Sequence, residues 1–259
     1  MLRVRVSLNE TSNTSENAAQ ADPSAQSDGR DRAIAWLVHG FTASGAALGT
    51  FALVAVASDR LDVACLLMLA TLFIDGLDGT LARAARVSVH TPQIDGRRLD
   101  DIVDYLNFVI VPAFFLWGGG LVLHPGWIAM PVLASAYGFS REDAKTADDF
   151  FLGFPSYWNI LAMYLWLLGV GPEAGTIWVV VLAIGVFIPM KYLYPSKVQP
   201  MRLRVALGVG AIVWTAALVA CVVAPDEAAG YHLVEITLLY PAWYMWLSIT
   251  RGGFDRTNG

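Results

Sequence analysis

From residue 33 onward the chain repeats one pattern, a long apolar run followed by a short polar break. The runs fall at 33–58, 61–82, 100–123, 126–141, 150–170, 173–190, 203–224 and 232–250. A helix needs about 20 apolar residues to cross the hydrocarbon core of a bilayer. Six runs meet that length, and the fourth and sixth fall slightly short of it. The pattern predicts an all-α fold, a polytopic membrane helix bundle of about eight transmembrane helices. Residues 6–32 break the pattern. They are rich in Ser, Asn, Asp and Ala and nearly lack large apolar side chains, which predicts a disordered tail. The expected organisation is a tail over 1–32, a transmembrane domain over 33–250 and a second tail over 251–259. Residues 1–32 contain no apolar stretch of the kind found in a secretory signal.

Composition strengthens the membrane reading. Hydrophobic residues make up 56% of the chain and charged residues only 15%, against about 25% charged in a soluble domain. A net charge of -5 gives no reason to expect nucleic acid as a partner. Cys65 and Cys221 each sit inside an apolar run and read as small buried side chains. Eight spans place both termini on the same side. On that topology every Lys and Arg except Arg60 faces that side, including Arg83, Arg86, Arg97 and Arg98 in one loop and Lys191, Lys197, Arg202 and Arg204 in another. The positive-inside rule makes it the cytoplasm.

Against this apolar background the stretch "FIDGLDGTLARAARVSVHTPQIDGRRLDDIVDYL" is unusual, because it gathers six aspartates in a region flanked on both sides by long apolar sequence. Asp75 and Asp78 are three apart and share a helix face, as do Gly96, Asp100 and Asp104 at intervals of four. Two helices joined by a short loop lie antiparallel, so each can turn a pair of carboxylates toward the other. Four converging carboxylates need cations to stay ionised. Hard divalent ions such as Mg²⁺ and Mn²⁺ prefer oxygen ligands. A pair of them about 4 Å apart is the usual arrangement for phosphoryl transfer. Gly79, Ala82 and Gly96 leave bare helix surface for a ligand, and Arg83 is placed to clamp a phosphate oxygen. Asp95 and Asp101 read as ordinary loop charges. His39 reads as a satisfied polar residue of the bundle, and no paired His spacing suggests zinc.

The pattern D-x-x-D-G-x-x-A-R, then G-x-x-x-D-x-x-x-D, is present as Asp75, Asp78, Gly79, Ala82, Arg83, Gly96, Asp100 and Asp104. It resembles the signature of the CDP-alcohol phosphotransferase family. Twelve residues separate Arg83 from Gly96, a longer gap than in most of that family. The gap, "AWLVHGFTASGAALG" at 35–49 and "AYGFSREDAKTADDFFLGFPSYWNI" at 136–160 resemble the family's bacterial phosphatidylcholine synthase branch. So does a count of eight spans, where the shared family core has six.

This resemblance implies transfer of the phosphatidyl group of CDP-diacylglycerol to choline, giving phosphatidylcholine and CMP. It implies two divalent metals, Mn²⁺ or Mg²⁺, on Asp75, Asp78, Asp100 and Asp104, with Asp104 also acting as general base. Gly79, Ala82 and Gly96 would border the cytidine and its ribose, and Arg83 the diphosphate. A quaternary ammonium is best held by aromatic faces, and the aromatic pairs Tyr157–Trp158 and Tyr192–Tyr194 are the choline candidates. The expected location is the bacterial inner (plasma) membrane, multi-pass, with both termini and the active site cytoplasmic. Membrane lipids would surround it, and a homodimer is compatible with the reading.

Two other readings stand beside this one. Within the family the acceptor is serine, inositol or glycerol phosphate, and the aspartates look the same. Outside it, the chain is a metal-ion transporter, which would want its carboxylates near the bilayer midplane in broken helices. Here they lie at the edge of the apolar runs.

Overall fold

A computed structural model describes residues 23–253 except 145, 147 and 149. Residues 1–22 of the tail expected over 1–32, Lys145, and residues 254–259 of the tail expected over 251–259 lie outside the described residues. The fold is helical, as the hydrophobic pattern predicts, and the strands among the described residues are two three-residue pieces. Helix α1 (Pro23–Ala57) begins ten residues before the expected start at 33. Residues 28–34 of this helix are exposed, and Asp28 lies 3.9 Å from His90.

Helix α2 (Leu61–Ala84) runs back along α1. The turn between them is tight because Asp59 takes a left-handed conformation at φ 57°. There the Arg60 amide reaches back to the Ala55 carbonyl at 2.8 Å. A short helix α3 (Val87–His90) and a loop lead to α4 (Gly96–Tyr105). Asp95 caps α4, its side chain accepting from the Arg98 amide at 3.2 Å. Asp95 thus does structural work at a helix start. Through one widened turn (Leu106–Ile110) α4 continues into α5 (Val111–Gly118).

That widened turn crosses α1 at its small residues. A Cβ on Gly45 would stand 2.9 Å from Val103 Cγ1, and one on Gly49 would collide with the Asn107 amide. Without side chains at these positions, α4 lies directly against α1. The Asn107 Nδ2 donates to the Gly45 carbonyl at 3.1 Å. Small residues spaced by four let helix backbones approach in this way. The approach brings α4 into the α1–α2 hairpin at the level of the aspartates.

The remaining helices are α6 (Ala129–Ser140), α7 (Trp158–Leu167), α8 (Pro172–Gly185), α9 (Met201–Val223), α10 (Pro225–Gly230), α11 (Leu233–Thr237) and α12 (Leu239–Arg251). The eight apolar runs all contain helix, but their edges differ. Residues 150–157, expected to open the fifth span, form strand β1 (Phe150–Leu152) and a bend. Gly153 at φ 84°, Pro155 and Ser156 at φ 56° stop a helix there. Strand β1 pairs antiparallel with β2 (Lys191–Leu193), setting Phe151 opposite Tyr192.

Among the described residues two helices, Asp28–Ala57 and Met201–Val223, are long and apolar enough to cross a membrane. With 10 and 14 residues, α7 and α8 are too short to cross alone. Many large apolar side chains lie on the surface. Leu37, Leu133, Ile177, Ile212, Val213 and Leu239 are 62–73% exposed. Large aliphatic side chains exposed this widely mark a surface built for lipid or a partner.

Candidate active site

The site forms where the end of α2 meets the start of α4. Asp75 and Asp78 come from α2 and Asp100 from α4. One carboxylate oxygen from each lies within 4.8 Å of the others. Asp78 is buried, while Asp75 and Asp100 are half-buried. Asp104, one turn beyond Asp100, stands outside this triplet but within electrostatic reach of Asp75, Asp78 and Asp100. Three carboxylates so close repel one another unless a cation sits among them. The donor set fits a hard divalent ion: all oxygen, closely spaced, with no His or Cys in the group. This triplet can therefore hold a metal ion.

Gly79 and Gly96 border the aspartates. A Cβ on Gly79 would meet only Arg83 Nη1, at 3.4 Å, and one on Gly96 only the His39 ring, also at 3.4 Å. Ala82 is half-buried in the last turn of α2. Arg83 is exposed and folds back along the helix, Nη2 donating to Thr80 Oγ1 at 3.1 Å.

Two residues of α1 reach this region. Thr42 hydrogen-bonds Asp78 through its hydroxyl. Sequence reading missed it, although a Thr three positions after His39 in an apolar span shares its helix face. The Thr91 hydroxyl donates to the Val87 carbonyl at 2.8 Å, so His39 Nε2, 2.9 Å away, must be the donor in their contact. His39 is the satisfied polar residue that the sequence suggests.

The aromatic candidates divide. Tyr157, Trp158 and Tyr192 each meet Phe154 edge-on, with ring centroids 6.3, 5.1 and 6.4 Å away. The Tyr157 hydroxyl lies 3.2 Å from that of Tyr244, which donates to the Leu193 carbonyl at 2.8 Å. Tyr157 is within electrostatic reach of Asp75. Trp158 is fully enclosed, its Nε1 donating to Ser135 Oγ at 2.7 Å. Tyr194 stands apart, against Phe151 at 4.6 Å, with Lys197 Nζ 5.4 Å from its ring centre. Phe154, Ser135 and Tyr244 were not singled out from sequence, because each reads as an ordinary apolar or interfacial residue. Glu235 pairs with His232 at 3.7 Å on the exposed surface, away from these groups.

No protein-family model matches the chain. Curated proteins do. The phosphatidylcholine synthase of Legionella bozemanae is 36% identical over 214 residues, covering 80% of this chain and 98% of that protein. The phosphatidylcholine synthase of Pseudomonas aeruginosa is 40% identical over 182 residues, covering 68% of this chain and 76% of that one. That of Legionella pneumophila is 43% identical over 174 residues, covering 64% and 66%. Identity at this level over nearly the whole of one relative settles descent, and the chain belongs to the phosphatidylcholine synthase family.

Proposed function

We propose that this protein transfers the phosphatidyl group of CDP-diacylglycerol to choline, releasing CMP and forming phosphatidylcholine. The observation that carries this reading is the convergence of Asp75, Asp78 and Asp100 oxygens within 4.8 Å at the meeting of α2 and α4, in a chain of this family. In the reaction the choline hydroxyl oxygen bonds to the phosphorus that bears diacylglycerol. The bond from that phosphorus to the bridging oxygen breaks, and CMP departs with it. Asp104 takes the proton of the choline hydroxyl. Two Mn²⁺ or Mg²⁺ ions held by Asp75, Asp78, Asp100 and Asp104 would supply the positive charge that neutralises the diphosphate.

The other residues bind and orient. Gly79, Ala82 and Gly96 admit the cytidine and ribose close to the helix backbones. Arg83 pairs with a diphosphate oxygen. The trimethylammonium lies against the aromatic group of Tyr157 and Tyr192, with Trp158 as its packed support and Tyr194 at its edge. The exposed aliphatic surface supports a protein embedded in a membrane, and the reading places it in the bacterial inner membrane with about eight helical passes. Both termini and the site then face the cytoplasm, where CMP leaves and choline enters.

The test is an acceptor panel. Purified protein receives CDP-diacylglycerol, Mn²⁺ or Mg²⁺, and labelled choline, serine, inositol or glycerol phosphate. Label from choline should enter the lipid phase, and label from the others should stay in water. Efficient use of serine or inositol with choline inert would overturn the choice of acceptor.

A further inference from the structure

Two nucleophilic side chains take no part in the reaction above, Cys65 on α2 and Cys221 on α9. More than 150 residues of chain separate them. Both thiols are free in this structure, and both are buried. Cys65 lies in the second turn of α2, and Cys221 lies two residues before the end of α9.

The packing of the two helices brings these positions to one level. Helices α2 and α9 touch, and they run in opposite directions. Arg83 at the end of α2 and Arg204 at the start of α9 line one cleft. Cys65 is 18 residues before Arg83, and Cys221 is 17 residues after Arg204. Those spacings are about 27 and about 26 Å of helix. The core confirms the match. Cys65 packs in one buried cluster with Leu218 and Val222, the neighbours of Cys221 on α9. The two thiols are within electrostatic reach of one another. Their helices are also held in place. Trp214 Nε1 on α9 donates to the Tyr164 hydroxyl at 2.8 Å, which donates to Thr237 Oγ1 at 3.0 Å. The tight turn at Asp59 fixes the start of α2.

We propose that Cys65 and Cys221 form an intramolecular disulfide that ties the start of α2 to the end of α9. The proposal rests on the topology read above, which turns the aspartates toward the cytoplasm and this end away from it. Disulfides form and persist on that oxidising side. The bond is made at the expense of a disulfide donor. One thiolate attacks a donor sulfur and expels a thiolate; the second attacks the mixed disulfide and expels the other donor sulfur. The Sγ–Sγ bond forms as the donor's bond breaks, and two electrons and two protons pass to the donor. Thiols enclosed by apolar surroundings are inert, so the exchange belongs to the stage of folding before α9 closes over α2. The bond closes a loop that holds more than half of the chain, and a longer loop loses more entropy in the unfolded state. It also anchors the helix that carries Asp75 and Asp78, from the end remote from them.

A thiol count on the full-length protein, made in a bacterium with an oxidising periplasm, tests this. At harvest the thiols are blocked with N-ethylmaleimide in denaturant and counted by intact mass, with and without prior reduction. The parent should take up no label unreduced and two labels after reduction. Cys65→Ser and Cys221→Ser should each take up one label without reductant. Reductant should lower the Tm of the parent by about 5–10 °C and leave the Cys65→Ala, Cys221→Ala double variant unmoved. Two labels on the unreduced parent overturn the proposal. A dimer band on a non-reducing gel that reductant dissolves overturns the intramolecular bond. Choline transfer by protein with both thiols free sinks the disulfide alone, and a disulfide in protein that transfers no choline sinks the reaction alone.

Discussion

His39 Nε2 donates to the Thr91 hydroxyl across 2.9 Å, and both residues are buried. The bond ties the first long helix to the loop before α4, while the bare Gly96 at the start of α4 lies against the same imidazole. Thr91→Val keeps the shape and removes the acceptor, leaving a buried N–H unpaired. That should cost about 1–3 kcal/mol of stability, read as a lowered Tm in detergent. His39→Gln, which keeps a donor, should lose less than His39→Leu. Equal melting of all three with the parent would remove the bond from the account.

The site glycines separate packing from ligand approach. Methyl groups at Gly79 and Gly96 meet nothing closer than 3.4 Å, so Gly79→Ala and Gly96→Ala should melt like the parent. Their KM for CDP-diacylglycerol should nevertheless rise, because a methyl group would stand where the nucleotide meets the backbone. A melt that drops with an unchanged KM would make both residues purely structural.

Asp75→Asn, Asp78→Asn and Asp100→Asn should each remove nearly all activity and weaken Mn²⁺ binding, measured by calorimetry. Asp104→Asn should keep nucleotide affinity while turnover falls roughly 10²–10⁴-fold, the contribution of a general base. Asp101→Asn should be mild. Parent rates in any of the first four would refute that residue's role.

Choline recognition is tested best at Tyr157. If its ring faces the trimethylammonium, a desolvated cation–π contact is worth about 2 kcal/mol. Tyr157→Leu should then raise the choline KM about 30-fold, and Tyr157→Phe should stay near the parent. Trp158→Ala tests stability instead. Its ring is fully enclosed, and emptying that space should cost about 3–5 kcal/mol. A Tyr157→Leu variant with normal choline KM would move the ammonium elsewhere.

The helices and the meeting of Asp75, Asp78 and Asp100 were legible in the sequence, because periodicity three and four puts side chains on one helix face. The contribution of α1 was not. Thr42 meets Asp78 across the α1–α2 hairpin and His39 meets Thr91 across 52 positions, and contacts between residues so far apart leave no local pattern. The break at Gly153–Ser156 was hidden too, since an apolar run reads alike as a strand, a bend or a helix. Trp158 looked like an interfacial ring from its neighbours, yet a packed environment and Ser135 enclose it.

The most direct test of the central claim is the rate of CMP release from CDP-diacylglycerol by the purified protein with choline, first in EDTA and then after Mn²⁺ or Mg²⁺ is restored. The account predicts no release in chelator, recovery with the metal, and one choline entering lipid for each CMP. Undiminished turnover in chelator, or CMP released without choline entering lipid, would contradict it.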